Sequence, residues 1–355
     1  MRGFLFFGAL CAVSVPTFAG DVNPDKIEKL DSVIVSASRA GENTPVTFTN
    51  LNKEELRKVN PMNSLVQALS LQPSVVTSLE GGTGLGYSKM TVRGVKGSQI
   101  NVTLNGITLN DAESQEVFWV NIPALTSLIN SVQLQRGLGT SSNGPGAFGA
   151  SINMSTASVG TSPFGYVNVA AGSYNTMTMT ASAGTGLTKS GLYFSAAYSK
   201  DYTDGYIRNA KAKVQSAFAA LGWLKGNNSL KLTYLMGDQH SGITWNGIDP
   251  QMYKTNRKYN STGEFYDADG AVHYYDNDTD NYTQHHIQLN YTHEFANSLT
   301  WSTTFNYTRG DGYYENYKAG KKFSKYRLPD FTDEDGNVHQ KSDFIVRKAM
   351  GNDYY

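Results

Sequence analysis

The chain has 355 residues with 30 basic and 30 acidic side chains, and this balance argues against a basic nucleic-acid binder. Charged residues make up only 17%, whereas Tyr (22) and Gly (35) are abundant. The aromatic content argues against disorder, and no segment after the N-terminus approaches the ~20 consecutive apolar residues of a membrane-spanning helix. The composition is typical of antiparallel β structure.

The N-terminus has the pattern of a secretory signal peptide. Arg2 precedes an apolar stretch over residues 3–15, Pro16 interrupts it, and Ala19 ends a small-residue cleavage motif. We therefore expect residues 1–19 to be removed. Cleavage there would also remove Cys11, the only cysteine, so the mature chain would be held together without disulfides.

Residues 20–43 are predicted to form a polar extension. They include one short β-branched run that is suited to pairing as an added strand, formed by Asp31, Ser32, Val33, Ile34, Val35, Ser36 and Ala37.

Residues 44–156 mix helix and strand signals and predict a small α+β domain. Asn52 followed by Glu55 indicates a helix start, Asn63 a second one, and Pro123 a third helix that would run through Ile129. Strands are predicted at 90–95, 100–105, 131–136 and 151–155.

From residue 163 to 355 the apolar pattern changes to period two. Met177 and Met179 alternate with Thr176 and Thr178, as in a strand with one apolar and one polar face. Eight strands are predicted, at about 164–172, 176–185, 191–201, 212–224, 229–237, 283–296, 298–310 and 343–355.

The connections between these strands alternate in length. Two are long and polar, at 238–282 and 311–342, while the turns between them are short. Short turns at one rim and long loops at the other are typical of a transmembrane β-barrel of the outer membrane. A soluble sandwich would not usually carry loops of this length at one end.

The α+β segment resembles the plug domain of TonB-dependent outer-membrane receptors. The motifs occur in the family's order: DSVIVSA at 31–37, LVQAL at 65–69, TVRG at 91–94, VTLNG at 102–106 and VQLQRG at 132–137. The resemblance implies that 31–37 is the TonB box, that 44–156 is the plug, and that 163–355 are the N-terminal strands of a barrel. Because the family's barrel has 22 strands, we expect the natural protein to continue for roughly 14 more.

The resemblance also implies roles for individual plug residues. Arg93 and Arg136 would be latch residues that pair with glutamates of the barrel wall, since charge-assisted bonds hold a plug in a polar lumen and still allow its release. The plug apices would contact ligand, and the side chains there with suitable chemistry are Lys96, Gln99, Glu116, Phe118 and Trp119.

Other motifs do not indicate catalysis, a metal site or a cofactor. The stretch GPGAFG at 144–149 fits a dinucleotide fingerprint, but a strand rather than a helix is predicted after it. The sequences around Asp267 and Asp333 are interpreted as turns. No nucleophile–base or metalloprotease motif is found, so an enzyme is not expected.

The sequence thus predicts an exported outer-membrane receptor for active uptake of a scarce extracellular ligand. Its expected partners are TonB, outer-membrane lipid and a small ligand; iron chelates, haem, cobalamin and glycans remain open. The alternatives are a non-transporting adhesin or sensor, or a passive porin, on the same scaffold.

Overall fold

The computed structural model describes residues 39–41, 44–59, 64–138, 147–156, 160, 162–296, 299–349 and 353–354. The predicted signal peptide and the predicted TonB box lie outside these residues, as does Asn63.

The described residues up to 156 form three short helices and seven strands. The helices are α1 (Lys53–Val59), α2 (Leu65–Leu69) and α3 (Leu125–Leu128). The strands are β1 (Thr47–Asn52), β2 (Val75–Leu79), β3 (Ser88–Val92), β4 (Ile100–Leu104), β5 (Ile107–Thr108), β6 (Ile129–Arg136) and β7 (Ala150–Thr156). Single 3₁₀ turns lie at Gly97–Gln99 and Trp119–Asn121.

These strands form one mixed sheet and one hairpin. The sheet has the order β1-β6-β7-β4-β5, in which β4 and β7 run parallel, and β2 pairs with β3. The helices pack on the sheet around a core of buried aliphatic side chains that includes Leu56, Leu69, Leu104, Leu134 and Ile152.

The helix starts follow local hydrogen-bonding rules. The Asn52 side chain accepts from the Glu55 amide (2.9 Å) and the Glu55 carboxylate accepts from the Asn52 amide (2.8 Å), which is the predicted capping box. Helix α2 is capped by Ser64, whose hydroxyl accepts from the Gln67 amide.

Two predicted boundaries in this region were wrong. Ile129 begins strand β6 and does not end a helix, since α3 closes at Leu128. The strand expected to run through Val95 ends at Val92, because Arg93 and Gly94 both have positive φ (52° and 80°) and turn the chain.

The second part of the chain is one large antiparallel sheet. Its strands are β8 (Phe164–Gly172), β9 (Thr176–Gly184), β10 (Leu192–Thr203), β11 (Ala212–Lys225), β12 (Asn228–Gly242), β15 (Thr279–Ala296), β16 (Leu299–Lys322), β19 (Lys341–Ala349) and β20 (Asp353–Tyr354). The order is β19-β16-β15-β12-β11-β10-β9-β8, and β20 also pairs with β16. In the described residues, β8 and β19 are the end strands.

The two faces of this sheet differ in polarity, as the period-two pattern predicted. Thr178 and Thr180 on β9 are fully buried on the face toward the first domain, whereas Met177 and Met179 are 55% and 50% exposed on the other. The same alternation runs along β10 and β12. The outer face therefore carries the apolar coat expected of strands that contact lipid.

The loops alternate in length as predicted, but the strands extend further into the long ones. Strand β12 continues to Gly242, β15 begins at Thr279, and β16 continues to Lys322. The first long loop holds helix α4 (Pro250–Thr255) and the hairpin β13 (Glu264–Tyr266) with β14 (Val272–Tyr274). The second holds a 3₁₀ turn (Phe323–Tyr326) and the hairpin β17 (Phe331–Thr332) with β18 (Val338–His339).

The first domain rests on the polar face of the sheet, which we call the wall. The Ser216 hydroxyl donates to the Pro123 carbonyl (2.7 Å), and the Asn105 side-chain amide donates to Gln288 Oε1 (3.0 Å). At Gly237 of the wall, a Cβ would collide with the Asn121 carbonyl oxygen and lie 2.9 Å from Pro123 Cδ. Gly237 therefore allows the backbone of residues 121–123 to approach the wall closely.

We predict that Gly237→Ala will weaken docking of the first domain, because the added methyl group meets backbone rather than a flexible side chain. Overpacking of this kind costs about 1–3 kcal/mol. The measurement is the temperature at which the first domain becomes sensitive to protease.

The matched control is Gly165→Ala on β8, where the nearest atom to the new Cβ is 4.0 Å away. Gly237→Ala should become sensitive at a temperature several degrees lower than this control. Equal temperatures for the two variants would contradict the close approach.

Candidate functional site

A cavity of about 610 Å³ lies between the first domain and the wall. The first domain contributes the turn after β2, the start of β3 and residues 109–122. The wall contributes side chains at the end that carries the long loops: Trp245, Asp280, Tyr282, Gln284, Tyr314 and Lys348. This volume is within the usual range for a small-molecule site, ~300–1,000 Å³.

Aromatic rings connect the two sides of this cavity. Tyr87 of the first domain makes an edge-to-face contact with Trp245, with ring centroids 5.0 Å apart, and Trp245 contacts Tyr314 at 6.0 Å. Phe118 and Trp119 line the cavity from the first domain. Flat apolar surface of this kind suits a ligand with rings or with a cationic group.

Asp280 of β15 is the central polar group on the wall side. Its side chain is fully buried, and its Oδ2 accepts hydrogen bonds from Gln239 Nε2 (2.9 Å) and from the Tyr87 hydroxyl. Its Oδ1 is buried and has no hydrogen-bond partner among the described residues. The Tyr87–Asp280 bond thus joins the first domain to the wall at the edge of the cavity.

The remaining charges that line the cavity are mostly acidic. They are Glu80, Asp111, Glu113 and Glu116, opposed by Lys89 and Lys348. Lys89 is paired with Glu80 at 2.7 Å, so it does not offset the other carboxylates. The lining is therefore electronegative.

The structure brings some of the predicted ligand contacts together and separates others. Glu116, Phe118 and Trp119 line the cavity. Lys96 and Gln99 flank the 3₁₀ turn before β4, where both are exposed and neither lines the cavity. The Gln99 carbonyl accepts from the Gly149 amide (3.0 Å), which ties that turn to β7.

Arg136 and Arg93 lie at the opposite side of the first domain from the cavity lining. Arg136 is buried, and it donates through Nε to the Pro73 carbonyl (2.9 Å) and through Nη2 to the Thr49 hydroxyl (2.7 Å). Burial, and then the charge of Arg93, lower the pKa of Arg136. Arg93 is exposed. Their role as latch residues stays a prediction.

Sequence reasoning missed the residues that hold the first long loop. Arg208 donates to the carbonyls of Asn260 (2.6 Å from Nη2) and Thr262, and its guanidinium stacks on Tyr274 at 3.7 Å. Asp278 accepts from Asn316 Nδ2 (3.0 Å) and from the Tyr317 amide (2.9 Å), and burial raises its pKa. These bonds fix the loop over the cavity end of the wall.

It also missed a repeat in the two long loops. Residues 265–273 (FYDADGAVH) and 331–339 (FTDEDGNVH) share the pattern F-x-D-x-D-G-x-V-H. Both fold into the same hairpin, in which Phe pairs with His and the glycine has a φ near 80°. A search for internal repeats would have found this signal.

Each of these hairpins is closed by one aspartate. Asp267 Oδ2 bonds His273 Nε2 at 2.6 Å, and Asp333 Oδ2 bonds His339 Nε2 at 2.7 Å. The other oxygen of each aspartate accepts two backbone amides across the turn. We call this arrangement the Asp–His clasp. The histidine bond, followed by the backbone bonds, lowers the pKa of both aspartates.

In the described part of the chain, no helix is both long and apolar enough to cross a membrane. No group of three or more His, Cys, Asp or Glu side chains there is arranged to hold a metal ion.

Comparison with known proteins identifies the first domain. Residues 40–151 match the family model of the TonB-dependent receptor plug domain. A search of curated proteins gave no match.

The fold of the chain matches solved structures of import receptors and of a transporter. The ferric-catecholate import receptor Fiu of E. coli K12 aligns with a TM-score of 0.59 and 19% identity, over 81% of this chain and 42% of that protein. The ferripyoverdine receptor of Pseudomonas aeruginosa aligns at 0.59 and 14%, over 88% and 38%. The copper transporter OprC aligns at 0.52 and 16%, over 76% and 38%.

The chain therefore carries a TonB-dependent receptor plug domain followed by antiparallel strands, and it has the fold of TonB-dependent receptors, as the sequence motifs predicted. It spans about two fifths of the length of these receptors. From here on, the first domain is called the plug.

We predict that the Asp–His clasp at 267–273 opens in acid. Because the pKa of Asp267 is lowered in the folded hairpin, the clasp stabilises the hairpin at a pH above the unfolded value of about 3.9 and is lost as pH falls through the lower folded value. A nitroxide spin label on Ala268→Cys should become more mobile over that acidic range.

The control is the same label on Lys189→Cys, in a short turn where the structure shows no such clasp. Its mobility should not follow the same titration. A spectrum at position 268 that stays unchanged throughout acidification would contradict the clasp.

Proposed function

We propose that this chain is part of an outer-membrane receptor that takes up a scarce extracellular ligand with energy supplied through TonB. The observation that carries the proposal is the position of the plug. It is docked against the polar face of a wall whose other face is apolar, with a cavity of about 610 Å³ at the long-loop end. The plug blocks passive flow there, so a passive porin is disfavoured.

The ligand enters from the side of the long loops in this proposal. The plug turn 79–87 reaches that end of the wall, where the Tyr206 amide donates to the Gly81 carbonyl (2.8 Å). Ligand in the cavity would contact Glu116, Phe118 and Trp119 of the plug together with wall residues.

Energy would reach the plug through residues 31–37. This β-branched segment precedes β1, and β1 pairs with β6 at the edge of the plug sheet. Strand addition by periplasmic TonB would pull on the chain just before that sheet. Accumulation of ligand that stops when the proton gradient is dissipated would separate this function from an adhesin or a sensor.

We predict that Val33→Pro or Val35→Pro will abolish uptake and leave surface binding intact. Proline cannot donate the backbone hydrogen bond that strand addition needs, and the cavity lies in a different part of the chain. The measurements are cell-associated ligand with and without a proton gradient.

The matched control is Lys26→Pro, in the polar leader before the segment. It should take up ligand at the wild-type rate. Wild-type uptake in both Val→Pro variants would contradict the assignment of residues 31–37 as a TonB box.

We also predict the orientation of the wall. A cysteine in place of the exposed Lys254, in the first long loop, should react with a membrane-impermeant maleimide on intact cells. A cysteine in place of the exposed Asn227, in the short turn between β11 and β12, should react only after the outer membrane is permeabilised. Reversed labelling would show that the long loops face the periplasm.

A further inference from the structure

We propose that the cavity selects a ligand that presents a positively charged N–H group, an ammonium or a guanidinium, to Asp280 and the acidic plug apex. The inference rests on the proposed function and specifies the chemical class of its substrate. It is carried by the buried carboxylate of Asp280, one oxygen of which has no partner among the described residues, beside an aromatic and electronegative cavity.

The charge of the cavity lining favours a cation. Five carboxylates line the cavity, those of Glu80, Asp111, Glu113, Glu116 and Asp280, against two amines. One of these amines, Lys89, is already paired with Glu80. Such a site concentrates cations and repels anions as they approach. An anionic metal chelate would meet repulsion from this half of the site.

Asp280 contributes a buried carboxylate to this lining. Its two donors, Gln239 and Tyr87, both bind Oδ2, and Oδ1 has no hydrogen-bond partner among the described residues although the side chain is fully buried. A buried carboxylate oxygen without a donor is costly, because it has lost its hydration and gained nothing in return. A cationic group of a ligand bound in the cavity beside this carboxylate offsets its charge.

An aromatic surface lies beside this carboxylate. Tyr87, which bonds Asp280, also contacts Trp245, which contacts Tyr314. Aromatic faces attract cations through their quadrupole, and they add apolar area for the rest of the ligand. A neutral sugar could also stack on these rings, but it would gain nothing from the net negative charge.

The test uses three matched fluorescent probes and the receptor purified from outer membranes as its gene encodes it. Dansylcadaverine ends in an ammonium, dansylaminopentanol in a hydroxyl, and dansylaminocaproate in a carboxylate, on the same ring and a similar chain. Fluorescence anisotropy should show the ammonium probe binding at least about tenfold more tightly than either of the others, and less tightly as salt rises.

Variants then locate the preference. Asp280→Asn and Glu116→Gln should each reduce the preference for the ammonium probe several-fold. Glu116 is partly exposed at the plug apex, so this variant remains informative if Asp280→Asn fails to fold. The control Asp335→Asn, an exposed change in the second long loop, should bind all three probes as wild type does.

Several outcomes would overturn the inference. These are equal binding of the three probes, no binding of any probe, preference for the neutral or anionic probe, or a cation preference that survives both cavity variants. Because binding is measured without TonB or a proton gradient, failure of uptake in cells would count against the proposed function and leave this result unaffected.

Discussion

The arrangement of the molecule depends on how a polar plug is fastened to a polar wall. Asn105 shows the solution in one residue. Its Nδ2 donates to Gln288 of the wall, and its Oδ1 accepts from the backbone amide of Thr156 in the plug sheet (2.9 Å). It can do both because it adopts a left-handed backbone conformation (φ 52°), which asparagine tolerates better than most residues. Toward the long loops the plug and the wall enclose the cavity, and the Tyr87–Asp280 bond joins them at its edge.

Hydrogen bonds of this kind position the plug on the wall without attaching it irreversibly. Water can replace an amide–amide bond at small net cost, whereas separating two apolar faces exposes area that water does not compensate. The contact is not wholly polar, since Phe218 and Leu235 of the wall join the plug's buried core. The plug is thus held to the wall by polar and apolar contacts together.

Much of this architecture could be predicted from the sequence, and the failures have physical causes. Period two identified all the long strands of the wall, because one face is apolar and the other polar along most of their length. Two strand ends were predicted too early, at 237 and 310 rather than at Gly242 and Lys322, because the apolar alternation does not continue over residues 238–242 and 311–322. The short plug strand β1 was missed because pairing with the distant β6, rather than local pattern, determines it, and β2 was missed although its partner β3 follows it directly in the chain.

The site was less predictable than the fold. Glu116, Phe118 and Trp119, which line the cavity, were selected through the position of the plug apex, but the bond between Tyr87 and Asp280 was not predicted, because the two residues meet across 193 residues of chain. The contacts of Arg208 and Asp278 were not predicted for the same reason, since each side chain holds a loop by bonding residues far along the chain.

The paired hairpins have a consequence for how the outer surface of such a receptor can vary. All the hydrogen bonds of the Asp–His clasp fall within nine consecutive residues, so the shape of each tip is encoded locally and owes nothing to strand register in the wall. Each hairpin is therefore a structurally self-contained segment. It can be duplicated or exchanged between loops while the strands of the wall keep their pairing, so the surface of the loops can change without a change in the sheet.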